Sequence, residues 1–191
     1  MKIGLYFGSF NPIHIGHLII ANHVANSTDL QQVWFVVSPQ NPLKRSASLL
    51  NEYHRLHLVR LAVEGEARLK ASDIEFKLPK PSYTVDTLAY LQEKYPREEF
   101  SIIMGSDSFQ NLAKWKNHTW LLQHYPIYVY RRPEHEKLPS YPGAKYVEIV
   151  DAPLLPISST EIRSKLKKGQ TVRYLLPDTV LEEIEKSGYY R

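Results

Sequence analysis

The chain has 191 residues, 43% of them hydrophobic and 23% charged, a balance that excludes a fibrous or disordered protein. It contains no cysteine, which excludes disulfide frameworks, thiolate metal sites and cysteine nucleophiles, and its longest apolar run, residues 33–37, is too short for a signal sequence or membrane span, so a cytoplasmic location is expected. The net charge of +4 suits anionic ligands without demanding a nucleic acid.

In chain order, residues 2–7 read as a buried strand, 8–12 as a turn-rich loop and 13–24 as a helix with apolar periodicity. A second buried strand is expected at 33–37, a helix at 51–63 with Leu56, Val59, Leu61 and Val63 supplying apolar surface, and a strand within 69–76. Residues 84–95 read as a helix and 100–104 as a buried strand closed by Gly105, followed by weaker strands at 127–130 and 146–150. Two helices end the chain, 159–168 stopped by Gly169 and 177–187 stopped by Gly188. This alternation predicts one α/β domain over residues 1–191, a Rossmann-like, doubly wound, mostly parallel sheet with helices on both faces. Ligands should bind beyond the carboxyl ends of its strands.

The loop after the first strand reads Gly8-Ser9-Phe10-Asn11-Pro12-Ile13-His14-Ile15-Gly16-His17. It carries neither the Gly-x-Gly-x-x-Gly nor the P-loop fingerprint, so phosphates would need another device. Gly8 lets backbone approach a ligand, Pro12 stiffens the loop, Gly16 clears space where the helix begins, and His14 and His17, three apart, share a helical face. Taken alone the pair also reads as satisfied core histidines or as a metal pair, although the loop offers no carboxylate as a third ligand. Near the C-terminus, Ile157-Ser158-Ser159-Thr160-Glu161-Ile162-Arg163 places hydroxyls at a helix start, with Ser159 able to cap and Arg163 one turn in. By itself this is an ordinary capped helix.

Between these segments, Lys44 falls in the loop after the second strand, where it could meet a phosphate as a point charge, or simply be solvated. Ser82 or Thr84 opens a helix whose amides suit an anion, Asp107 follows the strand at 100–104 as a ribose acceptor or an N-cap, and Trp115 offers a stacking face or a packing group.

Residues 8–17 resemble the signature of the nucleotidyltransferase superfamily, whose hallmark His-x-Gly-His stands here as His14-Ile15-Gly16-His17; Asn11 occupies a position frequently held by Asp. The C-terminal segment is similar to the superfamily's Ile-Ser-Ser-Thr-x-x-Arg motif. In order between them, Pro-Ser-Tyr-Thr-Val-Asp-Thr-Leu, Gly-Ser-Asp and Leu-x-x-Trp resemble the bacterial nicotinate-nucleotide adenylyltransferase family over essentially the whole chain. The resemblance implies adenylyl transfer from ATP to nicotinate mononucleotide in NAD biosynthesis, giving nicotinate adenine dinucleotide and pyrophosphate without a covalent intermediate. It implies catalysis by His14, His17 and Arg163, and ATP contacts from Gly8, Ser9, Phe10, His14, Gly16, His17, Gly105, Asp107, Ile157, Ser158, Ser159 and Arg163, with the helices from about residue 159 completing that site.

For the acceptor, the resemblance implies Lys44, Tyr83, Thr84, Asp107, Trp115 and Lys116, with the pyridine ring on Trp115 and its carboxylate at amides around Thr84 and just after Trp115. Lys116 stands where members often carry an aromatic residue. Magnesium is expected to accompany ATP, with no metal ligand from protein side chains. No nucleic-acid or membrane partner is expected, and the oligomeric state, a homodimer included, stays open. The alternatives are phosphopantetheine adenylyltransferase and the cytidylyltransferases, whose acceptors lack a pyridine ring, and, more remotely, a non-catalytic nucleotide-binding module. Against the last, no basic run with interleaved aromatics appears, and Lys165, Lys167 and Lys168 read as a favourable helix C-terminus.

Overall fold

The computed structural model describes residues 1–40, 48–132, 135 and 137–191. Its centre is a six-stranded sheet made of β1 (Lys2–Gly8), β2 (Gln32–Val37), β3 (Leu69–Ser72), β4 (Glu99–Gly105), β5 (Ile127–Tyr130) and β6 (Val147–Val150). The strands lie in the order β3-β2-β1-β4-β5-β6, and every neighbouring pair is parallel. This is the doubly wound arrangement in which the winding direction reverses between β1 and β4, opening a crevice at their carboxyl ends.

Period-two alternation in buried strands sends successive side chains into two cores. On one face Tyr6, Phe35, Val37 and Ile103 pack against α1 (Ile15–Ser27), α2 (Glu52–Val63), α6 (Ser159–Lys167) and α7 (Asp178–Ser187) through Ile20, Val24, Leu56, Ile162 and Ile184. On the other, Ile3, Leu5, Ile102 and Val129 meet α3 (Thr84–Lys94), α4 (Ser106–Gln110) and α5 (His118–His124) through Leu88, Leu91, Phe109 and Leu121. The expected helices on both faces are therefore present. No helix among the described residues is long and apolar enough to cross a membrane.

Two local features differ from expectation, and the helix stops agree with it. The strand expected within 69–76 ends at Ser72 and gives way to a 3-10 turn, Ile74–Lys77, which turns the Glu75 side chain into the interior. Helices α4 and α5 have only five and seven residues, too few to display a helical period in the sequence. The two C-terminal stops lie where glycine permits a left-handed backbone, Gly169 at φ +66° and Gly188 at φ +67°.

Candidate active site

A cleft of about 810 Å³ opens over the carboxyl ends of β1, β2, β4 and β5. The first loop forms its floor. Phe10 adopts φ +46° and its ring packs edge-on against Tyr6, Phe35 and His17 at centroid distances of 5.7, 5.4 and 5.1 Å, anchoring the loop in the core. A side chain at Gly8 would put its Cβ 2.8 Å from the Phe10 ring, so glycine is what lets the ring fold back beneath the loop.

The two histidines form a reciprocal cap at the start of α1. The His17 amide donates to His14 Nδ1 at 3.4 Å and the His14 amide to His17 Nδ1 at 3.2 Å, while the rings stack at 3.6 Å and 22°. A nitrogen that accepts carries no proton, so each neutral ring is the Nε2–H tautomer, with Nε2–H left to donate to a ligand. A Cβ at Gly16 would lie 3.0 Å from the His14 ring, which explains the glycine between them.

Burial, aided by the charge of Arg132, lowers His14 from 6.5 to about 4. Burial first, then His14 and Arg132, holds His17 well below the usual imidazole range. Since the folded pKa lies below the unfolded one, the unfolded chain takes up the proton first as pH falls. The associated stability is present above pH 6.5 and is lost toward about pH 4, amounting to about 3 kcal/mol for His14. Urea melts of the ligand-free protein between pH 7 and 4.5 should show this loss, and His14→Asn should make it shallower while His17 sustains the remainder; an unchanged slope in the variant would contradict the assignment.

The C-terminal motif is fastened directly to this loop. Ser159 Oγ donates to the Pro12 carbonyl at 2.9 Å across 147 residues of sequence, and Arg163 Nη1 donates to the Asn11 carbonyl at 2.8 Å. The cap of α6 is Ser158, whose Oγ accepts from the Glu161 amide at 3.1 Å, and not Ser159 as the sequence suggested. The extended backbone at Ser158 turns its hydroxyl onto the helix start, leaving Ser159 free to reach across to the loop. The amides of Ser159 and Thr160 have no hydrogen-bond partner among the described residues. Ser159, Thr160 and Arg163 line the cleft, whereas Ile157 packs toward Gly16, at 3.8 Å from where a Cβ there would sit.

Asn11 is buried and uses both halves of its amide away from the cleft, Nδ2 donating to the Ser48 carbonyl at 3.0 Å and Oδ1 accepting from the Leu50 amide at 3.1 Å. An aspartate would lose the donor, so asparagine suits the loop's anchorage here. Behind it lies Arg55, an unforeseen residue, 0% exposed. Its guanidinium donates to four carbonyls: Leu50 at 2.7 Å, Ser9 at 2.5 Å, Ser38 at 2.8 Å and Pro39 at 3.1 Å. No carboxylate forms an ion pair with it among the described residues. Arg55 thus ties the loops after β1 and β2 together.

Across the crevice, Asp107 sits in the first turn of α4 with Gly105 as N-cap, so it is not the cap residue. Its carboxylate lies 3.1 Å from Arg132 Nε, and Arg132 Nη2 donates to the Tyr130 hydroxyl at 3.1 Å, which also accepts from Tyr6 at 3.2 Å. A side chain at Gly105 would meet Asp107 and Arg132 at 2.4 and 2.9 Å. Arg132 was the second residue missed. Its signal was position, two residues past the carboxyl end of β5.

At the far end, Tyr83 is the N-cap of α3 and Thr84 its first residue; Ser82 caps nothing, because its hydroxyl donates to Glu75 Oε2 at 2.6 Å. Trp115 follows the 3-10 turn Leu112–Lys114, half-buried at the cleft wall, and Lys116 Nζ bonds Asp86 at 2.8 Å while lying 4.8 Å over the Tyr83 ring. Lys44 lies outside the described residues. The cleft therefore brings Gly8, Ser9, His17, Asp107, Arg163, Tyr83, Thr84, Trp115 and Lys116 together. His14, Gly16, Ile157 and Ser158 support its walls from behind.

Comparison with known proteins identifies the family. The cytidylyltransferase-like family matches residues 5–165. The chain is 54% identical to the probable nicotinate-nucleotide adenylyltransferase of Flavobacterium psychrophilum and 52% identical to that of Flavobacterium johnsoniae, each alignment covering 100% of both chains. The structure of a Plasmodium falciparum nicotinic acid mononucleotide adenylyltransferase complexed with NaAD superposes with a TM-score of 0.83 at 21% identity, over 99% of this chain and 97% of that one, and shows the same fold. The chain belongs to the nicotinate-nucleotide adenylyltransferase family and is a nucleotidyltransferase.

Proposed function

We propose that the chain transfers the adenylyl group of ATP to the phosphate of nicotinate mononucleotide, releasing pyrophosphate and nicotinate adenine dinucleotide, a step of NAD biosynthesis in the cytoplasm. Residues 1–191 act as one catalytic unit, with α6 closing the ATP side. The observation that carries the mechanism is the stacked histidine pair, whose Nδ1 atoms are engaged by backbone amides so that each ring can only donate through Nε2. The acceptor phosphate is already anionic at neutral pH and needs no base, so donation is the chemistry required.

An acceptor oxygen attacks the α phosphorus as the bond to pyrophosphate breaks, and charge builds on the α-phosphate oxygens and the leaving group. His17 donates to the α phosphate, with His14 stacked behind it. The free amides of Ser159 and Thr160 at the start of α6, with the Ser158 hydroxyl proton and the remaining donors of Arg163, take the departing pyrophosphate; the Ser159 proton is committed to the Pro12 carbonyl. Asp107 accepts from a ribose, Trp115 stacks on the pyridine ring, and Thr84 and Lys116 meet its carboxylate. Among the described residues no three metal-ligating side chains cluster. Magnesium accompanying ATP would be held by the ATP phosphates and would supply charge neutralisation there.

ATP carrying a chiral, thio-substituted α phosphate tests the chemistry. Single in-line displacement inverts the configuration in the dinucleotide; retention would require two displacements and contradict the direct transfer.

A further inference from the structure

Glu75 borders the cleft and has no place in the chemistry above. Its side chain is 2% exposed and faces hydroxyls: Ser82 Oγ donates to Oε2 at 2.6 Å, Thr87 Oγ1 donates to Oε1 at 2.9 Å, and the Ser38 hydroxyl is a third partner. No cation pairs with it among the described residues. Burial pushes its carboxyl up while the three hydroxyls pull it down, and burial prevails.

The consequence lies at the start of α3. A serine hydroxyl readily accepts from the backbone amide two residues on, and for Ser82 that amide belongs to Thr84. Here the hydroxyl is drawn backward to Glu75 and makes no such bond. The N-cap, Tyr83, provides no side-chain cap, and the Thr84 and Val85 amides have no hydrogen-bond partner among the described residues. Thr87 is held by the same carboxylate and also bonds the Tyr83 carbonyl at 3.2 Å, which fixes the first turn from its other side. The helix end facing the cleft is thus open and rigidly backed.

We propose that Glu75 is a positioning residue for the acceptor: by holding the Ser82 hydroxyl from behind, it keeps the Thr84 amide open for the carboxylate of nicotinate mononucleotide. The proposal rests on the functional reading above, and goes beyond it by assigning the buried carboxylate a role in acceptor binding.

The test compares Glu75→Met, Ser82→Ala and the double variant by steady-state kinetics. Glu75→Met removes the acceptor, so the Ser82 hydroxyl turns to the Thr84 amide. The KM for nicotinate mononucleotide should rise about tenfold, as for one lost charge-assisted hydrogen bond, with the KM for ATP changed less than about twofold. In the double variant no hydroxyl competes for the amide, and the KM should return to within about threefold of the parent.

A Glu75→Met variant in which both KM values rise together, or a double variant no better than the single, would overturn the proposal, since a merely weakened fold is not rescued by removing another hydroxyl. If Glu75→Met fails to fold, Ser82→Ala alone decides. An unchanged KM supports the proposal, and a rise of about tenfold overturns it by showing that the hydroxyl itself serves the acceptor. Parent enzyme inactive with nicotinate mononucleotide would refute the functional reading and this proposal with it; an active parent with an unmoved Glu75→Met variant would refute this proposal alone.

Discussion

Replacing His17 by alanine is expected to lower kcat by about a hundredfold to a thousandfold while the KM for nicotinate mononucleotide moves less than about threefold. The ring packs edge-on against Phe10 and Tyr6 and stacks on His14, so its Nε2–H is preorganised and needs little rearrangement as charge builds on the α phosphate. Alanine also strips the His14 amide of its acceptor at 3.2 Å, which could loosen the helix start. His17→Asn separates the two effects. Its short amide oxygen can still accept from the His14 backbone, but its donor stops short of the Nε2 position, so its kcat should fall nearly as far as that of alanine. Turnover within about threefold of the parent in either variant would remove His17 from the chemistry.

The second large effect is on folding. Arg55→Leu is expected to destabilise the protein by about 3–5 kcal/mol in urea melts, a large share of the stability of a typical domain. Replacing both partners of a buried ion pair by apolar groups can be harmless, but here the partners are backbone carbonyls of Ser9, Ser38, Pro39 and Leu50, which no substitution removes. Three of them lie in the loops that floor the cleft. Arg55→Lys keeps the charge but not the planar fork, and should lose about half as much stability together with part of the activity, because the Ser9 carbonyl is no longer held. A loss below about 1 kcal/mol for Arg55→Leu would show that the four contacts contribute little.

Much of this architecture is legible in the sequence. Strands β1, β2, β4 and β5 are apolar runs buried on both faces, and the two motifs at opposite ends of the chain carry glycine, histidine and hydroxyl residues in local patterns that specify a loop and a capped helix. What escaped were groups whose importance depends on burial or on a distant partner. Arg55 sits in a helix read from the apolar residues Leu56, Val59, Leu61 and Val63, and nothing local shows that the arginine points inward to four carbonyls. Glu75 falls in a segment expected to hold a strand, and its partners Ser82 and Thr87 come from seven and twelve residues away. Assigning the α6 cap to Ser159 erred by one residue because adjacent serines are equivalent locally, and only the contact to Pro12 distinguishes them. Asp107 and Arg132 meet only because β4 and β5 are neighbours in the sheet.

The central claim is that this cleft joins ATP to an acceptor carrying a pyridine carboxylate. It is tested most directly by measuring magnesium-dependent pyrophosphate release from ATP with nicotinate mononucleotide, nicotinamide mononucleotide and phosphopantetheine in separate reactions. The account predicts the highest kcat/KM with nicotinate mononucleotide; a preference for phosphopantetheine, or no release with any of the three, would contradict it.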